Sequence, residues 1–85
     1  MEKILIIDDS LVQADVLKSI LKDNYDVTAV HTAEAGLQHA ASGMYSLILL
    51  DVIMPEMDGF TLLKELQEAA LTRRIPVILI TSLSD

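Results

Sequence analysis

The chain has 85 residues, a length that suits one domain and no more. Hydrophobic residues make up 52% of it, which is typical of a folded globular protein and excludes an intrinsically disordered chain. The net charge of −7 disfavours contact with nucleic-acid phosphates or anionic lipid, and the absence of cysteine excludes disulfides and thiolate metal sites.

Short aliphatic runs recur along the chain and predict four β-strands, at residues 4–7, 27–30, 47–50 and 77–80. Each run is short and partly β-branched, as strands are. Nearly continuous hydrophobicity in such runs is typical of strands that are buried on both faces of a parallel sheet.

Apolar residues at helical spacing predict one helix between each pair of strands. The inner faces of the three helices are predicted to contain, in chain order, Leu17, Ile20 and Leu21; Ala33, Leu37 and Ala40; and Leu62, Leu63, Leu66 and Ala70. Ser10, Thr32 and Asp58 are candidate N-caps, and Gly43 is a candidate stop for the second helix. The order βαβαβαβ predicts an α/β fold with right-handed crossovers and helices on both faces of the sheet.

Aspartates follow two of the predicted strands directly. Asp8 and Asp9 come after the first strand and Asp51 after the third. Parallel sheets bind ligands beyond the carboxyl ends of their strands, so the three carboxylates would meet if the second and third strands flank the first. An oxygen-only cluster favours a hard cation such as Mg²⁺. An aspartate after a strand is also a common helix cap, but Ser10 already supplies one for the first helix.

Three segments of the chain, ILIIDDS, LILLDVIMPEMDGF and IPVILITS, together resemble the receiver domain of two-component response regulators. The resemblance covers residues 3–82. It implies a flavodoxin-like fold, which is a doubly wound parallel sheet, with strand order 2-1-3-4. Receivers usually continue for about five strand and helix pairs. We therefore interpret residues 1–85 as a single, truncated receiver domain that lacks the last helix, strand and helix.

The resemblance also implies roles for individual residues. Asp51 is expected to be the phosphoacceptor, and Asp8 and Asp9 are expected to hold Mg²⁺ together with Asp51. The backbone carbonyl of Ile53 is expected to complete the metal site, and the hydroxyl of Thr81 to contact the phosphoryl oxygens. A lysine that contacts the phosphoryl group in the family would lie on the fifth strand, so we expect phosphorylation of this chain alone to be slow or unstable.

By this resemblance the chain is a phosphoacceptor signalling module rather than an enzyme, although it takes part in its own phosphorylation and dephosphorylation. Its partners would be a sensor histidine kinase and a downstream output domain or protein. One alternative is a receiver-like binding or assembly module without phosphotransfer. Another is a phosphatase that forms an aspartyl phosphate. Such enzymes have a second aspartate two residues after the nucleophile, where this sequence has Ile53.

Three further expectations concern surroundings and assembly. No apolar run approaches the roughly 18 residues that span a bilayer, and no signal-peptide pattern opens the chain, so we expect a cytoplasmic protein without a membrane or nucleic-acid partner. His31 and His39 are expected to lie on the solvated surface. The fourth strand would form an unprotected sheet edge, which predicts self-association or a complementing partner.

Overall fold

The computed structural model describes residues 1–55 and 58–80. Its elements are, in chain order, β1 (Lys3–Ile7), α1 (Leu11–Leu21), β2 (Asp26–Val30), α2 (Ala33–Ser42), β3 (Leu47–Asp51), α3 (Gly59–Glu68) and β4 (Val77–Ile80). Each predicted strand is present, and its bounds differ from the prediction by one residue at most. The alternation of strand and helix is therefore confirmed.

The four strands form one parallel sheet in the order β2-β1-β3-β4. Ile7, the last residue of β1, pairs with Val30 of β2 on one side and with Leu50 of β3 on the other. The ends of these three strands therefore lie side by side at one edge of the sheet. This arrangement confirms the predicted α/β fold and the strand order 2-1-3-4.

The core lies in two layers, one on each face of the sheet. Side chains of alternate strand residues point to opposite faces, so Leu5 and Ile7 of β1 pack on the α2 and α3 side with Leu62 and Leu66. Ile4 and Ile6 pack on the α1 side, in a smaller cluster completed by Ala14, Val27 and Leu49. Burial on both faces explains why the central strands read as continuous aliphatic runs.

The predicted helix faces are correct except at two positions. Ile20 is 66% exposed, and the buried residue of α1 is Ala14, with Leu17 and Leu21 packed beside it. Because a helix turns about 100° per residue, Ile20 lies about 90° from the centre of that face. Ala70 is exposed and follows the end of α3 at Glu68. Within the described residues, no helix is long and apolar enough to cross a membrane.

All three predicted N-caps are confirmed. Ser10 Oγ accepts a hydrogen bond from the N–H of Gln13 at 3.1 Å, Thr32 Oγ1 accepts one from Ala35 at 3.1 Å, and Asp58 Oδ1 accepts one from Phe60 at 3.1 Å. Each side chain pairs one of the backbone N–H groups that the first turn of a helix leaves free.

We expect Thr32→Ala to lower the free energy of unfolding by about 1 kcal/mol, because it removes the cap of α2. Urea unfolding followed by circular dichroism measures the change. Thr61→Ala is the control, since Thr61 is exposed within α3 and alanine favours helix at least as well. Equal stabilities of the two variants would contradict the role assigned to the Thr32 cap.

Candidate functional site

Three carboxylates meet where the central strands end. Asp8 follows β1 directly, Asp9 comes next, and Asp51 is the last residue of β3. One oxygen of each lies within 4.8 Å of the others. Asp8 is 0% exposed and Asp51 1%, whereas Asp9 is half-buried. The aliphatic strands thus carry their terminal aspartates into one buried acidic cluster, as the sequence predicted.

Asp8 is held by donors from three directions. The N–H of Ser10 donates to Asp8 Oδ1 at 2.9 Å, and the side-chain amide of Gln13 donates to Asp8 Oδ2 at 2.5 Å. The backbone carbonyl of Asp8 lies 3.0 Å from Nδ1 of His31, which follows β2. A carbonyl oxygen can only accept, so this contact requires a proton on Nδ1. A backbone N–H, a side-chain amide and an imidazole N–H therefore fix both the carboxylate and the backbone of Asp8.

Asp51 lies in a less favourable environment for a charge. The pKa of its carboxyl is raised from the ordinary 3.8 to about 6. The largest cause is burial, and a hydrogen bond with Asp8 and the negative charges of Asp8 and Asp9 act in the same direction. The Ile53 N–H, which donates to Asp51 Oδ1 at 3.0 Å, lowers the pKa and offsets part of this rise. A cation in the cluster would reverse the effect of these charges.

The segment after β3 is held against the start of α3 by a glycine. The N–H of Gly59 donates to the carbonyl of Val52 at 3.0 Å. A Cβ on Gly59 would lie 2.3 Å from Cα of Val52, which is too close for any other residue. Met54 is buried, whereas Ile53, which lies between Val52 and Met54 in the chain, is 60% exposed. The start of α3 therefore lies directly against Val52, the residue that follows Asp51.

The structure describes four of the five predicted site residues. Asp8, Asp9 and Asp51 are brought together, and the backbone of Ile53 contacts Asp51. Thr81, the predicted phosphoryl contact, lies outside the described residues. The roles of all five in phosphorylation and metal binding stay predictions.

Two residues of the site were not predicted. His31 was assigned to the solvated surface, but it is half-buried and contacts Asp8. Nothing in the sequence near His31 indicates that contact, because it depends on the pairing of β1 with β2. The sequence does contain an indication that the Gln13 side chain makes a hydrogen bond at the start of α1, because Ser10 and Gln13 have the S-x-x-Q spacing of a capping box.

The donor set of the cluster fits Mg²⁺. Among residues 1–55 and 58–80, the ligand atoms that come within 4.8 Å of one another are carboxylate oxygens of Asp8, Asp9 and Asp51, with no imidazole nitrogen. Mg²⁺ prefers oxygen ligands and is usually held by one or two carboxylates while it keeps several waters. The charges that raise the pKa of Asp51 are those a divalent cation would neutralise.

The sequence matches the family described as the response regulator receiver domain over residues 4–85. It is 44% identical over 82 residues to the transcriptional regulatory protein CiaR of Streptococcus pneumoniae, covering 96% of this chain and 36% of that protein. It is 40% identical over 82 residues to the response regulator PleD of Caulobacter vibrioides, covering 95% of this chain and 18% of PleD. The chain therefore spans about a third or less of these relatives.

Solved structures agree with these relatives. The signal receiver domain of a histidine kinase from Syntrophus aciditrophicus has a TM-score of 0.88 at 41% identity, over 100% of this chain and 65% of that one. TrrA in complex with the histidine kinase ThkA has a TM-score of 0.87 at 29% identity, over 100% and 72%. TrrA from Thermotoga maritima in complex with Mg(2+)-BeF has a TM-score of 0.86 at 29% identity, over 99% and 72%. With its fold and its sequence match in agreement, this chain belongs to the response regulator receiver domain family.

Proposed function

We propose that this chain accepts a phosphoryl group on Asp51 from a phosphohistidine of a sensor histidine kinase, with Mg²⁺ bound at Asp8, Asp9 and Asp51. The backbone carbonyl of Ile53 would complete the metal site, and Thr81 would contact the phosphoryl oxygens. The observation that carries the proposal is the convergence of three carboxylates, two of them fully buried, at the ends of two adjacent strands. Caps and turns explain single aspartates, but they do not explain such a cluster.

The reaction would be an in-line displacement at phosphorus. A carboxylate oxygen of Asp51 forms the new O–P bond while the P–N bond to the donor imidazole breaks. The bonding electrons return to the imidazole nitrogen, which then takes up a proton. Such transfers depend mainly on position and on charge neutralisation. When bound, Mg²⁺ would neutralise charge on the transferred group and on the carboxylates around it.

The environment of Asp51 suits this role. Only the ionised carboxylate is a nucleophile, and a pKa of about 6 leaves most of Asp51 ionised at pH 7. The N–H of Ile53 orients its Oδ1. The buried Asp8 and the half-buried Asp9 are placed to share a cation with it.

The exposed face of α1, the helix that begins two residues after Asp9, suits a protein partner. Leu11, Val12, Val16 and Ile20 of α1 are between 53% and 75% exposed. Three of them, Val12, Val16 and Ile20, recur at intervals of four residues and form an apolar stripe along the helix. The TrrA–ThkA complex shows that a protein of this fold binds a histidine kinase. We propose the α1 stripe as the contact surface for the kinase, and a downstream output domain or protein as the second partner.

Incubation with a small phosphoramidate donor and Mg²⁺ tests the proposal directly. Intact mass spectrometry at successive times should show a species heavier by one phosphoryl group that forms slowly or is lost again within the series, and peptide mapping should place the group on Asp51. Asp51→Asn should remove this species completely, because the amide is not a nucleophile here. Asp23→Asn, which changes an exposed turn residue, should leave it unchanged.

Two results would count against the proposal. Modification that persists in Asp51→Asn would move the acceptor to another residue. Absence of modification at every time, with or without a histidine kinase as donor, would favour the alternative of a binding module with receiver architecture.

A further inference from the structure

The start of α1 departs from the usual capping arrangement. In a capping box, the N3 side chain reaches back to the backbone N–H of the N-cap residue. Here the N–H of Ser10 donates instead to Asp8 Oδ1, and the Gln13 amide passes beyond Ser10 to donate to Asp8 Oδ2. Only one half of the box, from the Gln13 N–H to Ser10 Oγ, is present. The carboxylate of Asp8 has taken the place of the missing half.

Asp8 needs such support more than an ordinary surface aspartate does. It is fully buried, and the carboxylates of Asp9 and Asp51 lie within 4.8 Å. Their charges would turn a loosely held side chain away from the cluster. One donor at each oxygen fixes the rotamer, and each carboxylate oxygen has a second lone pair that remains available to a cation. The side chain is therefore held in place without being fully occupied.

Glutamine suits this position better than glutamate, the other common residue at the third position of a capping box. A glutamate would put a fourth carboxylate against Asp8, with no donor to offer it. A methionine would keep the size of the side chain but donate nothing. The amide of Gln13 adds a donor to the cluster without adding charge.

We propose that Gln13 is a positioning residue of the metal site, which sets the carboxylate of Asp8 in the orientation that binds Mg²⁺. This inference rests on the proposed function, since it takes Asp8 as a Mg²⁺ ligand. Gln13 acts through Asp8 and does not itself touch the cation. Residues that orient metal ligands in this way typically change metal affinity by about 10- to 100-fold when they are replaced.

Gln13→Met should therefore weaken Mg²⁺ binding by about tenfold. The measurement is a titration of the full chain with MgCl₂, followed by the backbone amide NMR shifts of residues 8–10 and 51–53. Gln67→Met is the matched control, because Gln67 is an exposed glutamine of α3, and it should keep the wild-type dissociation constant. Urea unfolding without Mg²⁺ shows whether any change is a general loss of folding.

The outcomes separate the two proposals. A wild-type chain whose site amides do not respond to Mg²⁺ would overturn the proposed function. A wild-type chain that binds Mg²⁺, together with a Gln13→Met variant of equal affinity, would overturn only the role of Gln13.

A measurement on the wild-type chain covers the case in which Gln13→Met does not fold. The side-chain NH₂ resonances of Gln13 should be protected from exchange and should shift on addition of Mg²⁺, unlike those of the exposed Gln38 and Gln67. If the three glutamines behave alike with and without Mg²⁺, Gln13 does not hold Asp8 in solution and the inference fails.

Discussion

Replacement of Asp51 by asparagine should stabilise the cation-free chain at pH 7, by on the order of 2 to 3 kcal/mol. The buried carboxylate is ionised at the cost of its lost hydration and of repulsion from Asp8 and Asp9, which together raise its pKa to about 6. One pKa unit corresponds to about 1.4 kcal/mol. Asparagine has nearly the same shape, carries no charge, and can donate to Asp8 where Asp51 cannot when it is ionised.

The same pKa fixes the direction of the pH dependence. The unfolded chain titrates Asp51 near 3.8 and the folded chain near 6, so the folded state binds more protons between these values. The free energy of unfolding contributed by this group must therefore fall as pH rises from about 4 to about 6, and stay at its lowest above that range. The contribution should be absent in Asp51→Asn.

Urea unfolding of the wild type and Asp51→Asn from pH 4 to 8, in the presence of a chelator, measures both effects. Asp23→Asn serves as the control for removing one negative charge from the surface. Saturating Mg²⁺ should then raise the stability of the wild type more than that of Asp51→Asn, because ligands that bind only the folded state stabilise it. An Asp51→Asn chain that is less stable than the wild type at pH 7 would show that the buried, ionised carboxylate does not destabilise the fold.

The sequence predicted the sheet and its acidic cluster because both depend on short-range patterns. Aliphatic runs identify central strands by their burial on both faces, and an aspartate at the end of such a run is placed by the end of the strand itself. Once β1 lies between β2 and β3, Asp8 and Asp51 are necessarily neighbours. The fold thus converts two positions 43 residues apart into one site.

The hydrogen bonds that support the cluster were harder to predict, because each donor has several possible acceptors and the sequence does not say which one it binds. The S-x-x-Q spacing of Ser10 and Gln13 predicts a local cap, but the buried Asp8 is a charged acceptor and binds the same donors more strongly. His31 joins the site only because β2 pairs with β1 in one register. Ile20 fits an apolar pattern that is wider than the buried face of α1.

The edge of β4 should decide whether copies of this chain associate. This strand pairs with β3 on one side, and within residues 1–55 and 58–80 no strand pairs with its other edge. Its residues are apolar, yet Ile78 is 52% and Leu79 38% exposed. An open groove of about 310 Å³ reaches β4 at Ile78, and another part of it is lined by Ile4, Leu47 and Leu49. An apolar strand edge of this kind is a template for pairing with another chain.

We therefore expect the 85-residue chain to self-associate by pairing β4 with β4 of a second copy. Two copies related by a two-fold axis present the same edge to each other, so the two strands would run antiparallel. The pairing would give partners to the backbone N–H and C=O groups at the edge of β4 that pair with no other strand in the described part of the chain, and it would cover Ile78 and Leu79. Eight strands would then form one continuous sheet across the dimer, four from each copy.

Size-exclusion chromatography with light scattering, across a series of protein concentrations, measures this association. Ile78→Lys should shift the equilibrium towards monomer, because a lysine on an edge strand opposes pairing. Val16→Lys is the matched control, since Val16 is 53% exposed but lies on α1. A wild-type chain that is monomeric at every concentration would exclude self-association. If Val16→Lys abolishes association and Ile78→Lys does not, the contact runs through the exposed stripe of α1, the surface we assign to the kinase, and β4 needs a different partner.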